Sequence, residues 1–583
     1  MHTPVPRRHR PAAIKSICTA LLVAAMTVAA CSPQPETTET AAPPPAATTP
    51  FTQAGRAAAA AIGAGAIRST VVEISDDRYG GRAPGTDGDI ATRQYLAEQL
   101  RQIGFEPGAA DGSWEQAFDL MSVSAQMPDT WTFTVGDSAV TVQRGEDYVA
   151  ASGVQDPLAE LDDAELVFVG YGIQAPEYDW DDYKGLDVSG KVLVMLNNDP
   201  DWDPALFEGD TRLYYGRWSY KYEIAAELGA AGAIIVHTTP SAGYPWQVVQ
   251  TSWSGPQFEL PDAGEPRVQI EAWLTENAAA EIFQAAGLNP AALVDTARSR
   301  EFTPVSLGVT TTLSMPVEIA ATSTANVIGI LPGSDRELAD EYVIYTAHHD
   351  HLGTGEPNPN GDPGDRIYNG ARDNASGVGM VLAIGEGFAA LPSPPRRSIM
   401  LLLVGAEEQG LLGSLYYASN PTVHPGRIAA NVNLDAANIW GRSRDMAFIG
   451  YGKSTLDAVA EQVAEFQGRT VEGDEFPDRG YYYRSDQFSF AKIGVPAFYL
   501  DGGTDIIGQP EGWGIDRVNE YTDLHYHQPS DEYDDSWNFE GLVEDAQFSF
   551  WAGLIVAQSD ELPAWNPGDE FEAARLQALQ ELR

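Results

Sequence analysis

The chain has 583 residues, too many for one ordinary core, so two or more domains are expected. Hydrophobic residues make up 43%, which excludes a disordered chain, and 83 acidic against 35 basic residues leave a formal net charge of -48. A surface of that sign repels phosphate backbones, which excludes nucleic acid as a partner; it favours solubility and says nothing about reaction type.

In chain order, Arg7, Arg8, Arg10 and Lys15 precede an apolar run from Ile17 to Ala30. That run is short for a membrane span and has the shape of a secretory signal over 1–30. It ends Val28-Ala29-Ala30-Cys31, which resembles the cleavage box of bacterial lipoproteins. An exported, periplasmic or cell-envelope protein is expected, held to a membrane only through a lipid on Cys31, and Ser32 favours the outer membrane by the same analogy. Cys18 and Cys31 are the only cysteines. The exported chain therefore forms no internal disulfide and has no thiolate metal site in its globular part. The Pro/Thr/Ala-rich stretch that follows predicts a flexible tether over 31–55.

A helical pattern runs from about Asp89 to Ile103, stopped by Gly104 and preceded by the turn-rich Gly80–Thr86. From about 130 to 315 short strands dominate, among them WTFTV, KVLVML and AGAIIVH, with a helix over Tyr222–Leu228. After about 325 the strands YVIYTA, SIMLLLVGA, IAANVNLD and VPAFYLDG alternate with helices near 375–388 and 411–418, and a short tail helix is expected from Phe571. This predicts an α/β fold with a buried central sheet covered on both faces and a β-rich insertion. The expected divisions are 56–130 and 319–583 for the main domain and 131–318 for the insert.

Of seven histidines beyond the signal, five fall in two strings, His348, His349 and His351, then His525 and His527. His348 follows one strand, Glu407 and Glu408 another, and Asp435 ends a third; in open α/β sheets ligands bind just beyond such strand ends. Asp373 ends a long loop before a helix. Imidazoles and carboxylates without sulfur suit zinc, with manganese or cobalt as substitutes. Three carboxylates, Asp373, Glu408 and Asp435, balance two divalent ions that share a hydroxide, the nucleophile hydrolysis requires. The adjacent Glu407 and Glu408 project to opposite sides, so one can ligate while the other acts as general base. Asp350, two residues from His348, is expected to accept its ring N–H.

At these residues the chain resembles the co-catalytic zinc exopeptidases that include aminopeptidase Y and glutamate carboxypeptidase. The matching strings are Ala347–Asp350, Asp373–Gly377, Gly405–Gly410, Asn433–Asp435 and Tyr526–Asp531, in the family's order. The resemblance implies a mixed, mostly parallel sheet flanked by helices. It places one zinc on His348 and Asp435, a second on Glu408 and His527, Asp373 between them, Glu407 as base and Asp350 as an active-site residue. Arg372, His349 and Gln528 depart from the family pattern without removing a ligand. Val169–Ile173, Leu186–Lys191 and Lys221–His237 resemble a protease-associated domain, which implies that 131–318 shapes access to the cleft.

The expected activity is removal of N-terminal residues from peptide substrates, with one of Tyr481, Tyr482 or Tyr483 at the scissile carbonyl. A glutamate-releasing carboxypeptidase would grip a substrate carboxylate through arginines, with Arg372 and Arg484 as candidates. A non-catalytic binding protein on the same scaffold would lack ligands or base; here all are present. The 353–370 loop, rich in Gly, Pro, Asn and Asp, reads as a lid or a calcium loop.

Overall fold

The computed structural model describes residues 50–582 except 205, 254 and 359–361. The export signal, the Cys31 anchor and nearly all of the tether lie outside the described residues.

The main sheet is built on strands that carry almost nothing but apolar side chains. Ser398–Val404 and Ile428–Asn433 are buried at every position, and Tyr342–His348 at all but its first. Tyr342–His348 lies between the other two, parallel to both, with His348 opposite Val404 and Thr346 opposite Asn433. Ala497–Gly502 adds in parallel beyond Ile428–Asn433, and Asp445–Ile449 pairs antiparallel to it. Continuous rather than alternating hydrophobicity is what a sheet covered on both faces requires. One cover includes Ala64–Ile74, Gly377–Ala389 and Phe539–Gln558, the last burying Phe548, Phe550 and Trp551. Each such side chain contributes about 1.5–3 kcal/mol. The opposite face packs Tyr417, Phe490 and Val495 against Ile344 and Leu402. This is a mixed α/β fold with its central sheet flanked by helices.

The 20-residue helix Phe539–Gln558 is one long element that the sequence pattern did not resolve; it is buried nearly all round and so lacks an amphipathic stripe. A second is the 27-residue strand Val305–Leu331. Its first half alternates, with Leu307, Val309, Thr311, Leu313 and Met315 inward, and pairs with Leu158–Phe168 and Thr130–Val135. Its second half pairs with Glu115–Ala125 and then with Ser398–Val404. The boundary expected at 318 therefore falls inside one continuous strand that joins two sheets. Within 131–318, Leu158–Phe168, Val192–Leu196, Gly232–His237 and Ile270–Thr275 run parallel in that order.

The predicted helix after the turn-rich segment spans Asp87–Ile103, capped by the Thr86 side chain and ended by Gly104 at φ 102°. The turn before it has a structural task. Arg82, fully buried, donates to the carbonyls of Ile74, His349, Asn369 and Gly370, and so ties both segments that carry His348 and Asp373. At Gly81, with φ 71°, an added Cβ would lie 2.3 Å from the Gly353 carbonyl, so only glycine permits this approach. In the 353–370 loop, Gly353–Thr354 pairs with Ile367–Tyr368 as a short ribbon.

Candidate metal centre

Parallel strand ends deliver the site. His348 closes its strand; the chain turns at Ala406 (φ 59°) to present Glu407 and Glu408, and at Ala436 (φ 56°) just after Asp435. Asp373 lies in the irregular turn Ala371–Ser376 before the helix Gly377–Ala389. Its position is set by Asp531, whose carboxylate accepts the N–H groups of Arg372 and Asp373 at 3.0 Å each and the Tyr521 hydroxyl at 2.9 Å.

These residues converge. His348 Nε2 is 3.1 Å from Asp373 Oδ1 and 3.3 Å from Asp435 Oδ1. His527 Nε2 is 2.9 Å from Glu408 Oε2 and 3.5 Å from Asp373 Oδ2. The two oxygens of Asp373 thus face one histidine each. Glu407 Oε2 lies 3.9 Å from His348 Nε2. Donor atoms of His348, Asp373 and Glu408 fall within 4.8 Å of one another, as do those of His348, Glu407 and Asp435. A tetrahedral zinc with ligands at about 2.0–2.1 Å holds them about 3.3 Å apart, so this donor set fits such ions at its present spacing.

Charge gives a second test of fit. Among the described residues no lysine or arginine forms an ion pair with these carboxylates; the imidazoles supply the only positive partners. Burial opposes a proton on His348, yet Glu407, Asp435 and Asp373 outweigh it and hold the imidazolium well above its ordinary range. Burial is likewise overcome at His527, lifted to about 9 by Glu408 and Asp373, while Glu408 is pulled down to about 2 by His527 and His351. Glu407 is pushed well above the carboxylate range by burial, reinforced by Glu408 and Asp435 against the pull of His348. Divalent ions at the same oxygens would replace the imidazole protons.

The surrounding shell orients each donor. Asp350 does not take the expected bond through its carboxylate. His348 Nδ1 is 3.3 Å from the Asp350 backbone carbonyl and 3.8 Å from its Oδ1, because that carboxylate is already engaged by the N–H groups of Glu407 at 3.0 Å and Glu408 at 3.3 Å. The carbonyl contact still leaves Nε2 free to ligate. Ser485 Oγ donates to Asp435 Oδ2 at 2.6 Å and accepts from Asn433 Nδ2 at 2.8 Å. His527 Nδ1 is 2.9 Å from Ser252 Oγ, and Thr251 Oγ1 donates to the His527 carbonyl at 3.1 Å. Both come from the helix Trp246–Ser252, so the 131–318 region supports a ligand directly.

Sequence reasoning did not assign His351, Ser252, Ser485 or Asp531. His351 Nδ1 is 2.5 Å from Glu408 Oε1, on the carboxylate oxygen opposite His527. The histidine string was the available signal for it; the serines carry none. His349 points elsewhere, bonding the Ala325 carbonyl at 3.1 Å, and Gln528 reaches Thr251. Arg372 is withdrawn as a carboxylate grip: it donates to the Ala436 and Ala437 carbonyls and lies 4.1 Å from the Tyr521 ring centre. Of the three tyrosines, Tyr482 and Tyr483 are buried, Tyr483 donating to Glu570, and Tyr481 accepts from Arg479. The tyrosine at the cluster is Tyr526, its ring 3.9 Å from that of His527.

Comparison with known proteins agrees with this geometry. Residues 326–549, which include every proposed ligand, match the model of peptidase family M28. The chain is 26% identical over 269 residues to leupeptin-inactivating enzyme 1 of Streptomyces exfoliatus, covering 46% of this chain and 55% of that one. It is 27% identical over 210 residues to aminopeptidase YwaD of Bacillus subtilis (strain 168), covering 35% and 39% respectively. The matches thus span about half or less of these curated relatives. Among solved structures, an aminopeptidase from Aneurinibacillus sp. strain AM-1 superposes with a TM-score of 0.51 at 18% identity, over 87% of this chain and 97% of that one, a likeness of fold. The likeness to peptidase family M28 is carried by residues 326–549, less than half of the chain.

Proposed function

We propose that this protein is a two-zinc aminopeptidase that removes N-terminal residues from peptides. The observation that carries the reading is the placement of Asp373 between His348 and His527, one carboxylate oxygen toward each. His348 and Asp435 would hold one ion, Glu408 and His527 the other, with Asp373 shared. Bound there, the ions would polarise the scissile carbonyl and make water acidic enough to attack at neutral pH. Glu407, buried but not a member of either ligand pair, takes the proton from the attacking water and returns it to the leaving amine. Asp350 holds the Glu407 and Glu408 backbone through two N–H bonds, which fixes base and ligand relative to each other.

The 131–318 region is read as an inserted domain of protease-associated type that walls the cleft, supported by the Ser252 and Thr251 contacts to His527. Export and anchoring through Cys31 complete the reading; a Cys31→Ser chain should move from the membrane to the soluble fraction. The activity is tested with Leu-p-nitroanilide. Release of nitroaniline should stop on chelation and return with zinc; hydrolysis that survives removal of metal contradicts the reading.

A further inference from the structure

A groove runs between the end of the strand Glu115–Ala125 and the short ribbon that starts at Gly353. Ala125, Gln126, Met127 and Gly255 line one side and Thr354 and Gly355 the other, and it holds about 580 Å³. A recess of about 120 Å³ lined by Trp253 and Pro256 shares Ala125, Met127 and Gly255 with it, so the two are continuous. The groove falls within the roughly 300–1,000 Å³ of pockets that enclose whole small ligands. A single amino-acid side chain, all that an aminopeptidase holds upstream of the bond it cuts, fills only part of that space.

Both sides of the groove are rooted at the metal ligands. Shortly before Gly255, Ser252 Oγ meets His527 Nδ1 at 2.9 Å; shortly after it, the Phe258 N–H donates to Gln409, the neighbour of Glu408, at 3.2 Å. On the other side His351, just before the ribbon, lies 2.5 Å from Glu408 Oε1. The groove therefore leads away from the Glu408 and His527 side of the cluster. Its backbone is open. The strand Gln257–Glu259 pairs with Glu115–Ala125 only at Met121–Val123. Ser124 and Ala125 pair with Glu318 and Val317 on the far side, so past Val123 the edge toward Gly255 has no strand partner among the described residues. Such an edge binds extended main chain whatever its side chains. The rim also carries no spare charge. Arg144 pairs with Asp129 at 2.8 Å, and Arg366 with Glu356 at 3.7 Å and the Gly355 carbonyl at 3.3 Å. A charged terminus gains nothing there, whereas the interior of a peptide needs no counter-charge.

We propose that this groove binds the substrate's main chain beyond the scissile bond, so that the enzyme prefers oligopeptides to dipeptides and aminoacyl anilides. This rests on the peptidase reading above and adds the length of substrate that the site serves. Main-chain bonds along the open edge give affinity, and Met127 and Trp253 offer apolar surface to the side chains.

Calorimetry with the zinc-loaded Glu407→Gln protein reads binding without turnover. The probes are Leu-Ala-amide, Leu-Ala-Ala-amide and Leu-Ala-Ala-Ala-Ala-amide, whose amide ends keep charge constant as length grows. The longest should bind at least ~10-fold tighter than the shortest. Thr354 and Gln126 are exposed positions on opposite sides of the groove. Adding Thr354→Trp or Gln126→Trp narrows it and should bring the ratio toward one, whereas Thr354→Ser should keep it. Should one tryptophan variant fail to fold, the other carries the test. A ratio near one before these substitutions, or one unchanged by a folded tryptophan variant, overturns the groove. Affinity lost equally for all three peptides would place the effect at the metal centre and overturn it too. Hydrolysis of Leu-p-nitroanilide by the unmutated enzyme is read separately, so a chain that ranks peptides by length yet cleaves nothing contradicts the peptidase reading alone.

Discussion

The metal-ligand cluster and a pocket lined by Arg212, Arg217, Arg479, Arg484 and Tyr244 are built by opposite rules. In the cluster, Asp350, Asp373, Glu408 and Asp435 each have hydrogen-bond or imidazole partners, so several negative charges are tolerated in a buried space. In the pocket, positive charges gather with carbonyls and tyrosines around them and no carboxylate. A protein that needed only stability would mix the two sets, since an uncompensated buried charge costs several kcal/mol. Keeping them apart concentrates negative charge on one side and positive charge on the other.

The largest effect is expected at Glu407. Glu407→Gln keeps shape and both metals but removes the base, so kcat should fall about 10³-fold with metal content unchanged. Loss of metal together with activity would instead make Glu407 a ligand. Next comes Asp350→Asn, which weakens the anchor of the Glu407–Glu408 backbone; zinc affinity should drop about 10–100-fold by chelator competition. Ser252→Ala asks whether the 131–318 region tunes the site. Removing the Nδ1 partner of His527 should weaken zinc binding by about 10-fold, and no change would make that contact incidental.

The smallest effect concerns the wall of the basic pocket. His237 bonds the carbonyl of Tyr244, and burial pushes it down to about 4. Its folded state favours the neutral ring, so this contribution to stability is complete above about pH 6.5 and is lost as pH falls toward 4. Between pH 6.5 and 5.5 the chain should lose about 1 kcal/mol more stability than His237→Phe, measured by urea unfolding at each pH. Equal pH slopes would show that the proton enters without cost.

The same contrast explains what could be read before the structure. The cluster was legible because His348, Glu407, Glu408 and Asp435 follow strands and Asp373 precedes a helix, where local pattern and chemistry coincide: YVIYTA then His348, SIMLLLVGA then Glu407 and Glu408; His527, after the helix Trp513–Leu524, stood out through its histidine string alone. Convergence followed from sheet topology. Asp531 was visible only as part of a string, since its two backbone bonds to the Asp373 turn come from a distant loop. Of the arginine pocket only Arg484 stood out, as a candidate carboxylate grip; Arg212, Arg217 and Arg479 left no trace. Arg212 and Arg217 belong to the 131–318 region and Arg479 and Arg484 to a loop far along the chain, with no period linking them. Phe539–Gln558 escaped for another reason: buried on nearly every side, it has no polar face to reveal its turn.

Catalysis as proposed requires a pair of divalent ions sharing Asp373. Metal content per chain, determined by mass spectrometry of protein loaded with zinc and dialysed, measures this most directly. Two zinc ions per chain are expected, and fewer than one in Asp373→Ala. A single ion retained equally by both proteins would contradict it.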